Sequence, residues 1–167
     1  MTTMTAVPKG YSGIQIALHW IVAILVAAQF IFNDAISGAW RAIRRGEAFA
    51  FDPMILAHVA GGILILALVA WRIVLRLRHG TPPPPENEPA PLKALSHVAH
   101  WGFHVILLAM VMTGLLAWFG DLVPAAEAHE ILKAILLALV ALHVLASPFH
   151  RFVLKNDVMR RMIRPST

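Results

Sequence analysis

Four apolar runs dictate what this chain can become. They occupy residues 14–32, 54–75, 97–120 and 125–150. A hydrocarbon core about 30 Å thick takes roughly 20 helical residues to cross, and each run is about that long. Inside a bilayer the backbone has to satisfy its own hydrogen bonds, so runs of this length become helices. Composition agrees: 59% of the residues are hydrophobic and 14% charged, against about 25% charged in soluble domains. The expected fold is all-α, an integral-membrane four-helix bundle. Residues 1–167 read as one membrane domain, with no internal repeat.

The connections fit that plan. Residues 1–12 form a short polar leader holding Lys9, and the apolar run behind it lacks a small-residue cleavage site, so no cleavable signal is expected. Residues 33–53 are polar, carry Arg41, Arg44 and Arg45, and have room for a short amphipathic helix. The stretch HGTPPPPENEPAPLK, residues 79–93, is rich in prolines that a helix interior excludes and reads as an extended loop. Trp101 and Trp118 stand near the ends of the third run as interfacial anchors, and Pro124 suits the first turn of the fourth. With both termini inside, the inner side holds Lys9, Arg72, Arg76, Arg78, Lys93, Arg151, Lys155, Arg160, Arg161 and Arg164. The outer side holds Arg41, Arg44, Arg45 and Lys133. Ten against four satisfies the positive-inside rule, so the expected orientation is N-in, C-in. Basic residues that flank apolar runs in this way do not suggest nucleic-acid binding.

The chain has no cysteine and nine histidines. Disulfides, iron–sulfur clusters, thiolate-bound haem and covalent haem attachment are thereby excluded, and nitrogen is the expected metal ligand. His129 and His143 lie fourteen residues apart on the last run. That is almost four helical turns, roughly 40° short at about 100° per residue, and about 21 Å along the axis. One helix therefore offers a nitrogen at each of two depths on one side. Following the chain through the bilayer sorts the other histidines. His19 falls in the inner half and His58 about one turn from the outer face. His97, His100 and His104 belong to the inner end of the third run, and His79 is expected in solvent. At the outer level His58 and His129 are the only candidates. At the inner level His143 has His19, His100 and His104 to choose from, with His19 nearest in depth.

Two imidazoles on opposite faces of a porphyrin give six-coordinate, low-spin iron suited to electron transfer. Ionisable groups inside a membrane are costly and usually functional, and four histidines at two matched depths point to two haems. Gly61 and Gly62, one turn deeper than His58, would let a macrocycle approach the backbone; Gly102 and Gly114 could do the same on the third run. A bare-metal or transport site would call for acids deep in the spans. The only acids there, Glu127 and Glu130, sit at an outer end.

Several segments, in order, resemble the bacterial cytochrome b561 family of di-haem four-helix membrane proteins, and within it the superoxide oxidase branch. They are IALHW around His19, LAHVAGGILIL around His58, LRLRHGTPPPP, SHVAHWGFHVIL, AHEILKAILLALVALH and KNDVMRRMIRP. The resemblance covers nearly the whole chain. It implies two b haems, one held by His19 with His143 on the cytoplasmic side and one by His58 with His129 on the periplasmic side. It further implies a bacterial inner-membrane location and ubiquinone reduction near the inner haem. His150 falls at the family's quinone-side position, and His100 becomes part of the haem surroundings. The family tends to place a basic residue in the proline-rich loop near the quinone. Here that loop reads PENEPAPLK, with Glu86, Asn87 and Glu88, and Lys93 as its one base.

The electron donor has two candidates. In the first, superoxide is oxidised at the outer haem after steering by the local cluster Arg41, Arg44 and Arg45. The outer segments also hold Asp34, Glu47, Asp52, Asp121, Glu127 and Glu130, six acids against four bases, so only a local field is available. In the second, the chain is a cytochrome b subunit passing electrons between a partner dehydrogenase or redox protein and the quinone pool. Short termini and one moderate outer loop leave little docking surface, which favours the stand-alone oxidase.

Overall fold

The computed structural model describes residues 10–85 and 88–165; Lys9, Glu86 and Asn87 lie outside the described residues, as does most of the leader. Six α-helices follow in order: α1 (Gly13–Ile31), α2 (Asp34–Arg44), α3 (Pro53–His79), α4 (Ala90–Gly120), α5 (Val123–Pro148) and α6 (Val158–Arg161). A π-helical turn, Phe149–Val153, extends α5. The described residues contain no strand. Four of the helices (α1, α3, α4, and α5 with its extension) are long and apolar enough to cross a membrane. The fold is an all-α membrane bundle.

Local chemistry sets where each helix starts and stops. Ser12 opens α1 with a capping box: its Oγ accepts from the Gln15 backbone N–H at 3.3 Å, and Gln15 Oε1 accepts from the Ser12 N–H at 3.0 Å. Asp52 caps α3 by accepting from Met54 N–H at 2.8 Å, with Pro53 in the first turn where its missing N–H costs nothing. Asp121 adopts a left-handed conformation (φ 51°) at the end of α4, and the chain reverses at once into α5. The amphipathic helix expected within residues 33–53 is α2.

Two boundaries differ from the sequence expectation. Helix α3 runs on to His79, one turn past residue 75, because Arg76 and Arg78 are good helix formers whose long stems reach the interface. Helix α4 starts at Ala90 instead of residue 97, so the extended loop is shorter than predicted. Pro91 falls in the first turn of α4, where proline is tolerated.

Helix α4 packs along α5, α3 lies against α1 and α4, and α2 rests on α3. Val22, Ile65, Val69 and Val111 form the common core, with Leu25, Val26, Leu66 and Leu107 closing around it. Protein buries only 17% of the apolar window of each of the first three spans and 6% of the fourth. Ile24, Leu77, Leu142 and Phe119 point outward and are exposed. With lipid as the solvent, such a surface is at rest, and close packing and interhelical hydrogen bonds hold the helices together. Helix α5, which carries His129 and His143, is the least enclosed by protein.

One end of the bundle gathers the start of α1, the proline-rich loop and the chain after α5. Gln15 Nε2 donates to Gly80 O at 3.3 Å, Trp20 Nε1 to Met162 O at 3.0 Å and Arg161 Nη1 to Pro83 O at 2.8 Å.

Candidate functional site

At that end, helices α1, α4 and α5 bring three imidazoles together. The ring centres of His19 and His143 are 6.2 Å apart, those of His100 and His143 6.0 Å, and Phe103 lies edge-on to His143 at 5.3 Å. Two imidazoles that share a metal at about 2 Å per bond have centres roughly this far apart. His100 Nδ1–H donates to the Ser96 carbonyl at 2.5 Å, and its ring stands edge-on to His143 at 89°. His104 is buried, donates to the His100 carbonyl at 2.6 Å and packs on Trp101. His97 and His79 are exposed. Trp101, expected as an interfacial anchor, also receives the Arg76 guanidinium 5.4 Å from its ring centre.

At the other end, His58 of α3 and His129 of α5 line one cavity of about 920 Å³, walled further by α1, α2 and α4. Cofactor pockets run to ~300–1,000 Å³, so the space takes a large planar group. His129 Nδ1–H donates to the Met110 carbonyl at 2.9 Å, which fixes the tautomer and leaves Nε2 with a free lone pair. Thr113 Oγ1 lies 3.3 Å from the same nitrogen. His58 Nδ1 is buried with no partner among the described residues, and the His58 carbonyl accepts from Gln29 Nε2 at 3.2 Å.

The glycines divide by task. Gly62 forms bare cavity wall, and a Cβ there would meet nothing within 4 Å. Gly61 instead faces Gln29 of α1, and Gly114 lies under the His129 ring, where a Cβ would come within 3.1 Å. Nothing approaches a Cβ at Gly102. Among the described residues no group of three or more metal-ligating side chains is placed to hold a bare ion. A pair of imidazoles would need a group such as a porphyrin to complete the coordination of a metal. The free Nε2 of His129, the unpartnered His58 nitrogen and the bare Gly62 wall fit such a group.

The three outer arginines have separate fates. Arg44 pairs with Asp121 at 3.5 Å and Arg45 with Glu47 at 2.8 Å, while Arg41 lines the cavity and makes no ion pair among the described residues. Lys133 also reaches the cavity and pairs with Glu130.

His150 sits on the π-helical turn. Asn156 Nδ2 donates to its Nδ1 at 2.9 Å, and Glu88 Oε1 lies 3.7 Å from its Nε2. Gln29, Asn156 and Glu88 were not among the residues picked out by sequence as part of a site. Gln29 left a visible signal, being the one strongly polar side chain deep in an otherwise apolar stretch of the first run. Tyr11, just before α1, has its phenol pushed up by burial, an effect that nearby Arg76, Arg72 and Arg161 oppose.

Comparison with known proteins places this arrangement. The family model of prokaryotic cytochrome b561 matches residues 10–165. A Yersinia pestis protein named "Probable superoxide oxidase CybB" is 34% identical, over 93% of this chain and 96% of its own length. A Cereibacter sphaeroides protein named "Cytochrome b562" is 32% identical, over 97% of this chain and 99% of its own. The four apolar helices, the facing histidines and a match over almost the full length have one explanation: this multi-pass membrane oxidoreductase belongs to the prokaryotic cytochrome b561 family, whose members bind b-type haem and transfer electrons.

Proposed function

We propose that the chain, as a single di-haem domain of the bacterial inner membrane, carries electrons from superoxide at the periplasmic face to ubiquinone at the cytoplasmic face. The supporting observation is that, on one helix, His143 lies 6.2 Å ring to ring from His19 while His129, at a different depth, lines one cavity with His58. His58 and His129 would hold the outer haem, and His19 and His143 the inner one. When bound, two b haems would supply one-electron transfer between the membrane faces.

The residues around those ligands have distinct tasks. Met110 and Thr113 fix the His129 ring, and Gln29 ties the His58 backbone to α1. His100, bonded at Nδ1 to the Ser96 carbonyl, would line the inner haem's surroundings, with His19 as the ligand opposite His143. Arg41 gives an incoming anion a positive charge at the cavity wall, and a low-dielectric mouth focuses such a field. His150 donates from Nε2 to a quinone carbonyl. The excess of basic residues at the end holding the proline-rich loop supports N-in, C-in.

A second reading has support of its own. Arg44 and Arg45 are tied to acids, which narrows the positive field outside to Arg41 and the partly neutralised Lys133. A partner dehydrogenase or redox protein would then feed the same haems.

One experiment separates the two. Haem is counted per chain in the purified protein, a reduced-minus-oxidised spectrum is recorded, and superoxide is added with and without a short-chain ubiquinone. Two b haems reduced by superoxide and reoxidised by the quinone are expected. Two haems that dithionite reduces and superoxide does not would favour the partner-fed subunit. No haem at all would sink the ligand assignment.

A further inference from the structure

Residue 88 is an acid buried at the end of the bundle that holds the proline-rich loop. The Glu88 side chain is 2% exposed, and its Oε1 has no hydrogen-bond partner among the described residues. Asn156 Oδ1, nearby on the same histidine, is a second buried acceptor without a partner among them. Asn156 spends its amide on His150 Nδ1 at 2.9 Å, so the neutral ring carries its proton on Nε2, the nitrogen facing Glu88. The 3.7 Å between that nitrogen and Glu88 Oε1 is too long for a hydrogen bond. It is, however, a suitable base for a third atom. An oxygen about 2.8 Å from each, the usual length for such bonds, would complete a triangle over it once the pair parts slightly, since Oε1 is fully enclosed here.

The backbone holds the corner in this form. The π-helical turn sets His150 on a wider coil than an α-helix provides, and Asn156 N–H closes back on the His150 carbonyl at 3.0 Å. Arg161 pins the proline-rich loop through Pro83 O at 2.8 Å and is itself held by Asp157 at 2.9 Å. Glu88 therefore arrives from a loop 62 positions earlier in the chain and is fixed against the ring.

We infer that Glu88 is the catalytic proton donor to the quinone, acting beside His150 on one quinone oxygen; this rests on the quinone reading above. Two electrons from the family's electron-transfer activity and two protons convert one quinone to one quinol. The O–H bond at the facing oxygen forms as the Glu88 carboxyl O–H bond breaks. The carboxylate left behind takes a new proton from the adjoining solvent, and the far oxygen takes the second proton from solvent. His150 Nε2–H positions the oxygen throughout. The new quinol hydroxyl then donates to the Glu88 carboxylate, so the site holds product and releases it as Glu88 is reprotonated.

The test uses the purified holoprotein, reduced anaerobically and mixed with a short-chain ubiquinone by stopped flow. Glu88→Gln keeps the shape and removes the proton. It is expected to slow reoxidation at saturating quinone by about 100-fold, the lower end of the ~10²–10⁴ range for general-acid catalysis, with little change in the quinone concentration for half-maximal rate. Glu88→Asp should recover part of that loss. Independently, the infrared difference spectrum of quinone reduction should contain a carboxyl band, shifted in heavy water, that E88Q lacks.

A wild-type protein that quinone does not reoxidise would remove the quinone reading, and this inference with it. Rapid reoxidation of wild type and E88Q alike would overturn the role of Glu88 alone. If E88Q loses haem, E88D and the infrared band decide, and a wild-type spectrum without that band refutes the proposal.

Discussion

The closest approach between a glycine of α4 and a proposed haem ligand is at Gly114. A Cβ there would lie 3.1 Å from Cε1 and 3.2 Å from Nδ1 of His129. Carbon contacts are favourable at about 3.5–4.0 Å, so Gly114→Ala forces the ring back by roughly 0.3–0.5 Å. The ring has little freedom to withdraw, because Nδ1–H is already bonded to Met110 O at 2.9 Å. Adding the displacement stretches that bond past the ~2.7–3.2 Å range of a good N–H···O contact. Overpacking of this kind costs about 1–3 kcal/mol, partly offset by about 0.5–1 kcal/mol for replacing a helical glycine with alanine. A net loss on the order of 1 kcal/mol should therefore fall on one histidine.

Gly38→Ala, on α2 and outside the cavity lining, is the control, since nothing lies within 4 Å of its Cβ; only the helix gain remains there. Both variants are purified, their haem counted, and their reduction titrated electrochemically while thermal unfolding is followed. Gly114→Ala should lose or shift one of the two redox steps, leave the other in place and melt lower than wild type. Gly38→Ala should keep both steps and melt at or above wild type. If Gly114→Ala keeps both steps unchanged and melts no lower, either His129 is not held against α4 or it is not a ligand.

Other outcomes follow from the same geometry. His58→Ala and His129→Ala should each abolish one redox step and spare the other, His19→Ala and His143→Ala should do the reverse, and His100→Ala should retain two haems by spectrum and count. Arg41→Glu should slow reduction by superoxide roughly tenfold at low ionic strength, with the difference shrinking as salt rises. Arg45→Glu should have a much smaller effect, because Glu47 already neutralises Arg45 at 2.8 Å. Tyr11 is the chain's one tyrosine, so alkaline ultraviolet titration reads it alone. Burial raises its pKa above the ordinary 10.0, so its midpoint should lie above the value in the unfolded chain. The folded form then binds the proton more tightly, so this contribution to stability is complete below pH 10 and falls as pH rises through the tyrosine range.

Groups carried by long helices could be placed from sequence because an α-helix converts residue number into depth at a fixed rise. That is why His129 and His143 fall at opposite ends of α5, and why His58 and His19 fall opposite them. The same rule predicted the four spans and missed their ends, since whether Pro91 begins a helix or breaks one depends on where the first turn falls. Depth has no counterpart for rotation between helices, so Gly61 and Gly62 looked alike until α1 placed Gln29 against the first and left the second bare.

Groups borne by irregular backbone had no such ruler. Arg44 and Arg45 read as free cations until the left-handed turn at Asp121 and the close of α2 brought acids beside them. Glu88 is the extreme case. It lies in a proline-rich loop, its partner sits on a π-helical turn that no periodicity announces, and Arg161 holds the same loop across the end of the bundle through Pro83 O. The axial histidines can thus be proposed from spacing alone. The chemistry at the end holding the proline-rich loop depends on how that loop closes over a helix terminus, so an acid such as Glu88 shows its meaning only in three dimensions.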